Sequence, residues 1–138
     1  MTPLQQACLS ICLTVACIGC ARSGPEIVPV VGVATRDGKP LANLYITFEP
    51  DEGRTSWATT DSSGNFTLNY SKGRDGARVG RHKVYVRFRP SSVEEETSGK
   101  FRPPAGMDDI LRKFGNSETT QKTVEITSET RDIELKFD

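Results

Sequence analysis

The chain has 138 residues, 36% of them hydrophobic and 26% charged, an ordinary globular composition with room for a single domain. Eighteen Lys and Arg balance eighteen Asp and Glu, so no net charge draws in a polyanion, and nucleic acid is excluded as a first guess at a partner. All four cysteines, Cys8, Cys12, Cys17 and Cys20, lie in the first twenty residues, which excludes a disulfide framework or a CxxC metal site from the remainder.

In chain order, the first element is the apolar run ACLSICLTVACIG from Ala7 to Gly19, with no charged side chain between Met1 and Ala21. A membrane-spanning helix needs about 20 apolar residues, so the run is too short to span unaided and matches the apolar region of an export signal. It ends Cys17-Ile18-Gly19-Cys20 and resembles the lipobox of bacterial lipoproteins. That resemblance implies a signal peptide over residues 1–19, cleavage before Cys20, and a diacylglyceryl thioether on the Cys20 sulfur. Residues 20–26 would be a lipidated tether and residues 27–138 the folded domain. Two departures stand beside it. Cys17 occupies the place where the family usually has Leu, and Thr14 to Cys17 offers an overlapping second site. The leading segment MTPLQQ also lacks Lys and Arg, which leaves open inefficient export or a true start upstream. A cleaved secretory signal without lipid and a buried structural segment are the plainer alternatives. With two or three acyl chains, each buried CH2 contributing about 0.8 kcal/mol, attachment to the membrane would be stable.

Past the tether, apolar and polar residues alternate in short runs separated by Gly, Asp, Asn and Pro, the pattern of half-buried antiparallel strands. Candidate strands are Ile27 to Thr35, Leu44 to Glu49, Ser56 to Thr60, Asn65 to Tyr70, His82 to Arg89, Lys122 to Thr127 and Asp132 to Phe137. The fold class expected is all-β, a seven-stranded antiparallel β-sandwich. Residues two apart share a face, so Ile46, Phe48, Phe66, Leu68, Tyr70, Val84, Val86, Phe88, Val124, Ile126, Ile133, Leu135 and Phe137 should point inward. Lys83, Arg87, Arg89, Glu125, Glu134 and Lys136 should face water. Asp37-Gly38 and Asp61-Ser62-Ser63-Gly64 read as turns, the latter with the Asp61 carboxylate accepting backbone N–H bonds.

The stretch Pro90 to Gln121 breaks the rhythm. It carries Glu94-Glu95-Glu96, then Pro103-Pro104-Ala105-Gly106, then Met107, Ile110, Leu111 and Phe114 at helical spacing. A short helix is expected there, in the long loop before the last two strands. Loops of about 30 residues are either functional or disordered, so the segment reads as a ligand surface or as a structural crossover with a mobile tip.

Val30-Val31-Gly32, Asp37-Gly38-Lys39-Pro40-Leu41, Ile46-Thr47-Phe48-Glu49-Pro50, Thr60-Asp61 with Gly64, Phe66 and Leu68, and Gly80 with His82, Val84 and Val86 together resemble the carboxypeptidase regulatory-like domain. The resemblance is greatest to small lipoproteins bearing that domain in planctomycete-type bacteria, whose closing segment is similar to Lys113-Phe114, Thr119-Thr120 and Thr123 to Phe137. It implies a transthyretin-like (prealbumin-like) sandwich, related to the immunoglobulin-like architecture. It also implies a cell-envelope address and no catalytic residues, hence no enzyme activity and no cofactor.

The residues carrying chemistry are few. His82 is the only histidine, so a His pair on a metal is impossible, and no metal site is expected. Its plain reading is a turn or strand-edge residue; its functional reading is the base of a small envelope hydrolase. The prealbumin-like hydrolase of hydroxyisourate needs several His and Arg residues and a Tyr-Arg-Gly-Ser end, whereas this chain ends Glu-Leu-Lys-Phe-Asp. Trp57, the only tryptophan, is either core or sheet-edge packing or a platform for a sugar ring. Arg74, Arg78, Arg81, Lys83, Arg87 and Arg89 form a solvated face, pairing locally with Glu94 to Glu96, or contact an anionic polymer or lipid headgroups. Candidate ligand contacts are therefore Trp57, Arg81, His82 and Arg87, beside the lipidation site Cys20. The functional expectation is an exported, lipid-anchored, non-catalytic binding or structural module at the cell envelope, facing the periplasm or the exterior. Its partners would be the membrane, through Cys20, and an envelope protein or polysaccharide. The alternative is a carbohydrate-binding module using Trp57 and adjacent loops.

Overall fold

The computed structural model describes residues 24–138. The signal segment at residues 1–19, the lipidation candidates Cys17 and Cys20 and the first part of the tether lie outside the described residues. Twelve strand segments and two short helices occur among the described residues, giving a mostly β fold with several antiparallel pairings.

The centre is β10 (Gly80–Phe88), whose alternation is carried through to burial: His82, Val84, Val86 and Phe88 are buried while Arg81, Lys83 and Arg87 are exposed. It pairs antiparallel with β4 (Leu44–Pro50), from His82 opposite Pro50 to Phe88 opposite Leu44. On its other side it pairs with β11 (Thr123–Ile126). β5 (Ser56–Thr59), β7 (Asn69–Ser71) and β8 (Arg74–Asp75) continue this sheet to six strands. A second sheet is built on β2 (Val31–Arg36), flanked by β12 (Asp132–Lys136), β3 (Lys39–Pro40) and β6 (Asn65–Thr67). A two-stranded ribbon joins β1 (Ile27–Val28) to β9 (Ala77–Arg78). Ala34, Phe66 and Leu135 from the second sheet and Ile46, Phe48, Val84 and Val86 from the first belong to one buried cluster.

Four expectations are corrected. The pairing is not antiparallel throughout, because β12 runs parallel to β2, Asp132 opposite Val31 to Lys136 opposite Thr35. A hairpin enforces antiparallel pairing, but these strands come from opposite ends of the domain and no tight turn joins them. The strand count also exceeds seven, since two candidate strands are each divided and the short segments β3, β8 and β9 add three more. Pro29 separates β1 from β2, which pair in different sheets. At Leu68, the run Asn65 to Tyr70 passes from one sheet to the other: β6 pairs with β2, and β7 pairs with β5. The Leu68 amide donates to the Val30 carbonyl, and the Leu68 carbonyl accepts from Gly76 N, so the changeover leaves no backbone group of Leu68 unpaired. Tyr70, beyond the changeover, is half-buried with Arg74 over its ring and lies outside the core cluster where inward packing was expected.

The fourth correction concerns Glu94 to Glu96, which lie in a helix, α1 (Val93–Ser98), rather than in loop. The Ser92 hydroxyl accepts from Glu95 N, and the Glu95 carboxylate accepts from the Ser91 amide and hydroxyl at 2.9 Å each, a reciprocal arrangement close to a capping box. The expected helix is α2 (Asp108–Phe114). Its Ile110 is buried, and Met107, Leu111 and Phe114 pack partly buried against the core. The turns follow their chemistry. Asp37 and Gly38 both take positive φ, 49° and 75°, and Asp61 Oδ1 accepts from Ser63 N at 2.9 Å and Asn65 N at 3.0 Å. Gly32 is required for a different reason. A Cβ there would collide with the Ile133 carbonyl and the Phe66 ring, so only glycine lets β12 and Phe66 close on β2.

Candidate functional site: an aromatic and cationic row beside an open groove

β5 is short, and its alternation places Ser56 and Ala58 in the core and Trp57 and Thr59 outside. Trp57 remains 41% exposed. Across the strand pairs, Thr47 of β4 and Asn69 of β7 stand opposite Trp57. Tyr45, two residues before Thr47 and therefore on the same outer face, reaches diagonally to the indole: the rings lie 5.9 Å apart and 14° from parallel. Arg87 stands opposite Tyr45 on β10. The guanidinium carbons of Arg87 and Arg89 both lie 4.7 Å from the Tyr45 ring centroid, within cation–π range. Neither arginine forms an ion pair among the described residues. A row Trp57, Tyr45, Arg87 and Arg89 thus crosses three strands.

At the Trp57 end of the row, where the chain changes sheets at Leu68, the outer faces of the two sheets meet in an open groove of about 740 Å³. Its apolar part is Trp57 with Val31 and Val33, and Val31 is 46% exposed. Its polar part comprises Thr59, Thr67, Asn65 and Asn69 with the carboxylates of Asp61 and Asp132. Asn69 is held in place by its Nδ2, which donates to the carbonyls of Thr67 at 3.1 Å and Trp57 at 3.4 Å. Among the described residues, no Lys or Arg lines the groove. On the other side of the row, Tyr45, Thr47, Tyr85 and Arg87 line a smaller hollow of about 290 Å³. The Tyr85 phenol is pushed above its ordinary value, first by partial burial and then by the adjacent Glu49 carboxylate.

The structure thus brings Trp57 and Arg87 together through Tyr45, a residue that sequence reasoning did not single out. The signal was present, since Tyr45 alternates with Leu44 and Ile46 and so must face outward. Its diagonal contact with Trp57 depends on strand register, which composition does not reveal. Arg81 stands apart, exposed and 3.9 Å from Asp51, itself exposed. The expectation for His82 is corrected. It is neither in a turn nor at a sheet edge but fully buried in the central strand, its ring 5.9 Å from that of Phe48. Its Nε2 lies 2.7 Å from the Arg78 carbonyl. A carbonyl only accepts, so Nε2 donates to it, while Nδ1 has no partner among the described residues. A ligand on the surface does not reach this ring.

Of the six basic residues, Arg81, Lys83, Arg87 and Arg89 alternate along one outer face of β10 and its end, as expected, while Arg74 and Arg78 lie off that strand. Arg74 lies over Tyr70, Arg78 donates to the Glu52 carbonyl at 2.9 Å, and Lys83 reaches the Ser117 carbonyl. Among the described residues, none of them pairs with Glu94 to Glu96. Also among the described residues, no group of three or more His, Cys, Asp or Glu side chains could hold a metal, and no helix is long and apolar enough to cross a membrane. No protein-family model, curated protein or solved structure matches this chain.

Proposed function

We propose that the chain is a lipid-anchored, non-catalytic module of the cell envelope, tethered through Cys20 and presenting the Trp57 face to a partner. Its domain would be a prealbumin-like β-sandwich of the carboxypeptidase regulatory-like kind. The shared core of the two sheets supports the sandwich, and the apolar run before Cys20 supports export. The observation that carries the binding role is the stacked Trp57–Tyr45 pair on the outside of the sheet. Burying a large aromatic in the core stabilises a fold by roughly 3–5 kcal/mol against truncation, and a ring left 41% in water forgoes part of that. Binding is what a rigid, ordered aromatic surface offers in return. The sealed position of His82 weighs against the hydrolase reading, because a general base must reach its substrate.

The anchor is tested by labelling cells that express the full chain with an alkyne analogue of palmitate. Label on the wild type and none on Cys20→Ser is the expected result. Label retained on Cys20→Ser and lost on Cys17→Ser moves the anchor to Cys17, and a wild type without label overturns lipidation.

A further inference from the structure

We infer that the groove between Trp57 and Asp132 is a binding site for a neutral glycan chain. The inference rests on the module reading above and names the ligand class for its exposed face.

The apolar wall comes first. A pyranose ring presents a face of C–H groups that packs flat against an aromatic ring, and it gains most when that ring is already held still. Trp57 is held. One side of it is covered by Tyr45 at 14° from parallel, and Tyr45 is itself covered by the guanidinium groups of Arg87 and Arg89. An indole backed in this way and still 41% exposed offers its remaining surface to the groove it lines. Val31 extends the apolar floor.

The polar ring comes second. Sugar hydroxyls both donate and accept, so their site needs groups of both kinds at short spacing. Thr59 and Thr67 supply hydroxyls, Asn65 and Asn69 supply amides, and Asp61 and Asp132 supply acceptors. Asn69 stands opposite Trp57 in the ladder, and its amide nitrogen is fixed by two backbone carbonyls. Its orientation is therefore set before a ligand arrives.

Charge then selects among glycans. The two carboxylates, in a lining that holds no Lys or Arg among the described residues, give the groove a negative field. A uronic-acid polymer would be repelled there, and its natural place would be the arginine end of the row. Shape selects again: at about 740 Å³ the groove lies within the usual range for small-molecule sites, about 300–1,000 Å³. Because it is an open trough rather than an enclosed pocket, a chain can run through it.

The test is calorimetric titration of the purified full chain with neutral hexasaccharides of β-1,4-glucose, α-1,4-glucose, β-1,4-xylose and β-1,4-N-acetylglucosamine, and with polygalacturonate. At least one neutral hexasaccharide should bind, at least tenfold more weakly to Trp57→Ala and by an intermediate amount to Trp57→Phe. Lys113→Gln, an exposed substitution on α2 outside the groove and the row, should leave that binding unchanged. Thr67→Val, a groove substitution at an exposed position of β6, should weaken binding while the thermal midpoint stays that of the wild type. No binding to any neutral probe, binding indifferent to Trp57→Ala, or binding of polygalacturonate alone overturns the inference. Sedimentation with isolated cell-envelope polymer separates the two readings: co-sedimentation without any neutral-glycan binding overturns only the glycan site, and failure of both overturns the module reading as well.

Discussion

The connection between β10 and β11 holds two helices of nearly equal length that are stabilised by opposite means. α1, six residues long, has no buried residue, and its Val93 is 69% exposed. α2, seven residues long, buries Ile110 and is tied to the end of β2 by Arg36. Helices this short do not persist in water by propensity alone. α1 therefore depends on its ends: Ser92 and Glu95 at the start, three glutamates against the positive end of the helix dipole, and Gly99 with φ of 63° at the finish. α2 depends on its side. The two show that a loop can be ordered by local hydrogen bonds without joining the core, and that only a helix which joins the core should register in global stability.

The largest effect expected from this contrast is at Ile110. Truncation to Ala in a site 1% exposed should lower unfolding free energy by roughly 2–5 kcal/mol. It should appear in urea titration as a lower midpoint with an unchanged slope. Val93→Ala, on the helix that buries nothing, should change it by no more than about 0.5 kcal/mol. Equal losses from the two substitutions would abolish the distinction between the helices.

Next comes the Arg36 tie. Arg36 Nη1 donates to Asp109 Oδ1 at 2.9 Å and to the Gly106 carbonyl at 2.8 Å, while Nη2 pairs with Asp109 Oδ2. The hydrogen bonds from Arg36 hold the Asp109 carboxyl below its usual range. A carboxyl lowered on folding contributes stability above its unfolded pKa of about 3.9, and that contribution is lost as pH falls through the lower folded value. Arg36→Met should therefore be less stable than the wild type at pH 7, and the gap should close progressively below about pH 4. Both side chains keep some contact with water, 21% and 32%, so the gap should be smaller than the loss at Ile110 and should shrink with added salt. Urea midpoints for both proteins between pH 7 and pH 2 measure it, and a gap independent of pH would remove Asp109 from the tie.

How much of this was legible in the sequence follows the same division. Side-chain period two identified the core from Ile46 and Phe48 through Val84, Val86 and Phe88. The same period puts Trp57 and Tyr45 outside, but sequence reasoning applied it to neither and left core or sheet-edge packing open for Trp57. It placed His82 on the face of Val84 as well, a position masked by the expectation that a polar residue at a strand start lies at an edge. The 3.6 period identified α2 because its apolar residues meet the core. α1 has no such stripe, and its only trace was Ser92 followed three residues later by Glu95. Register was not legible at all. The changeover at Leu68, the parallel β12–β2 pair and the Tyr45–Trp57 contact depend on which strand lies beside which. Alternation within one strand carries no information on its neighbour, so the groove, formed where the two sheets' outer faces meet, could not be foreseen from Trp57 alone.

The smallest effect, and the sharpest separation of the helices, is expected at Ser92. Its hydroxyl accepts from Glu95 N at 3.2 Å, and loss of such a cap typically costs about 0.5–2 kcal/mol of helix stability. In α1 that cost falls on a segment with nothing buried, so it opens locally and does not propagate. Ser92→Ala should speed amide hydrogen exchange at Glu95 and Glu96 several-fold and leave the urea midpoint of the whole domain unchanged. Acidification should do the same to the wild type. The amide and hydroxyl of Ser91 hold the Glu95 carboxyl below its usual range, and protonation removes the charge those donors meet. Exchange at Glu95 and Glu96 should thus quicken, after correction for the intrinsic pH dependence of exchange, as pH falls through the depressed Glu95 value. Amides of α2 should stay protected over the same range while Ile110 remains in place. A domain-wide drop in the urea midpoint on Ser92→Ala would show instead that α1 is coupled to the core through contacts other than its own burial, and the two helices would then differ only in degree.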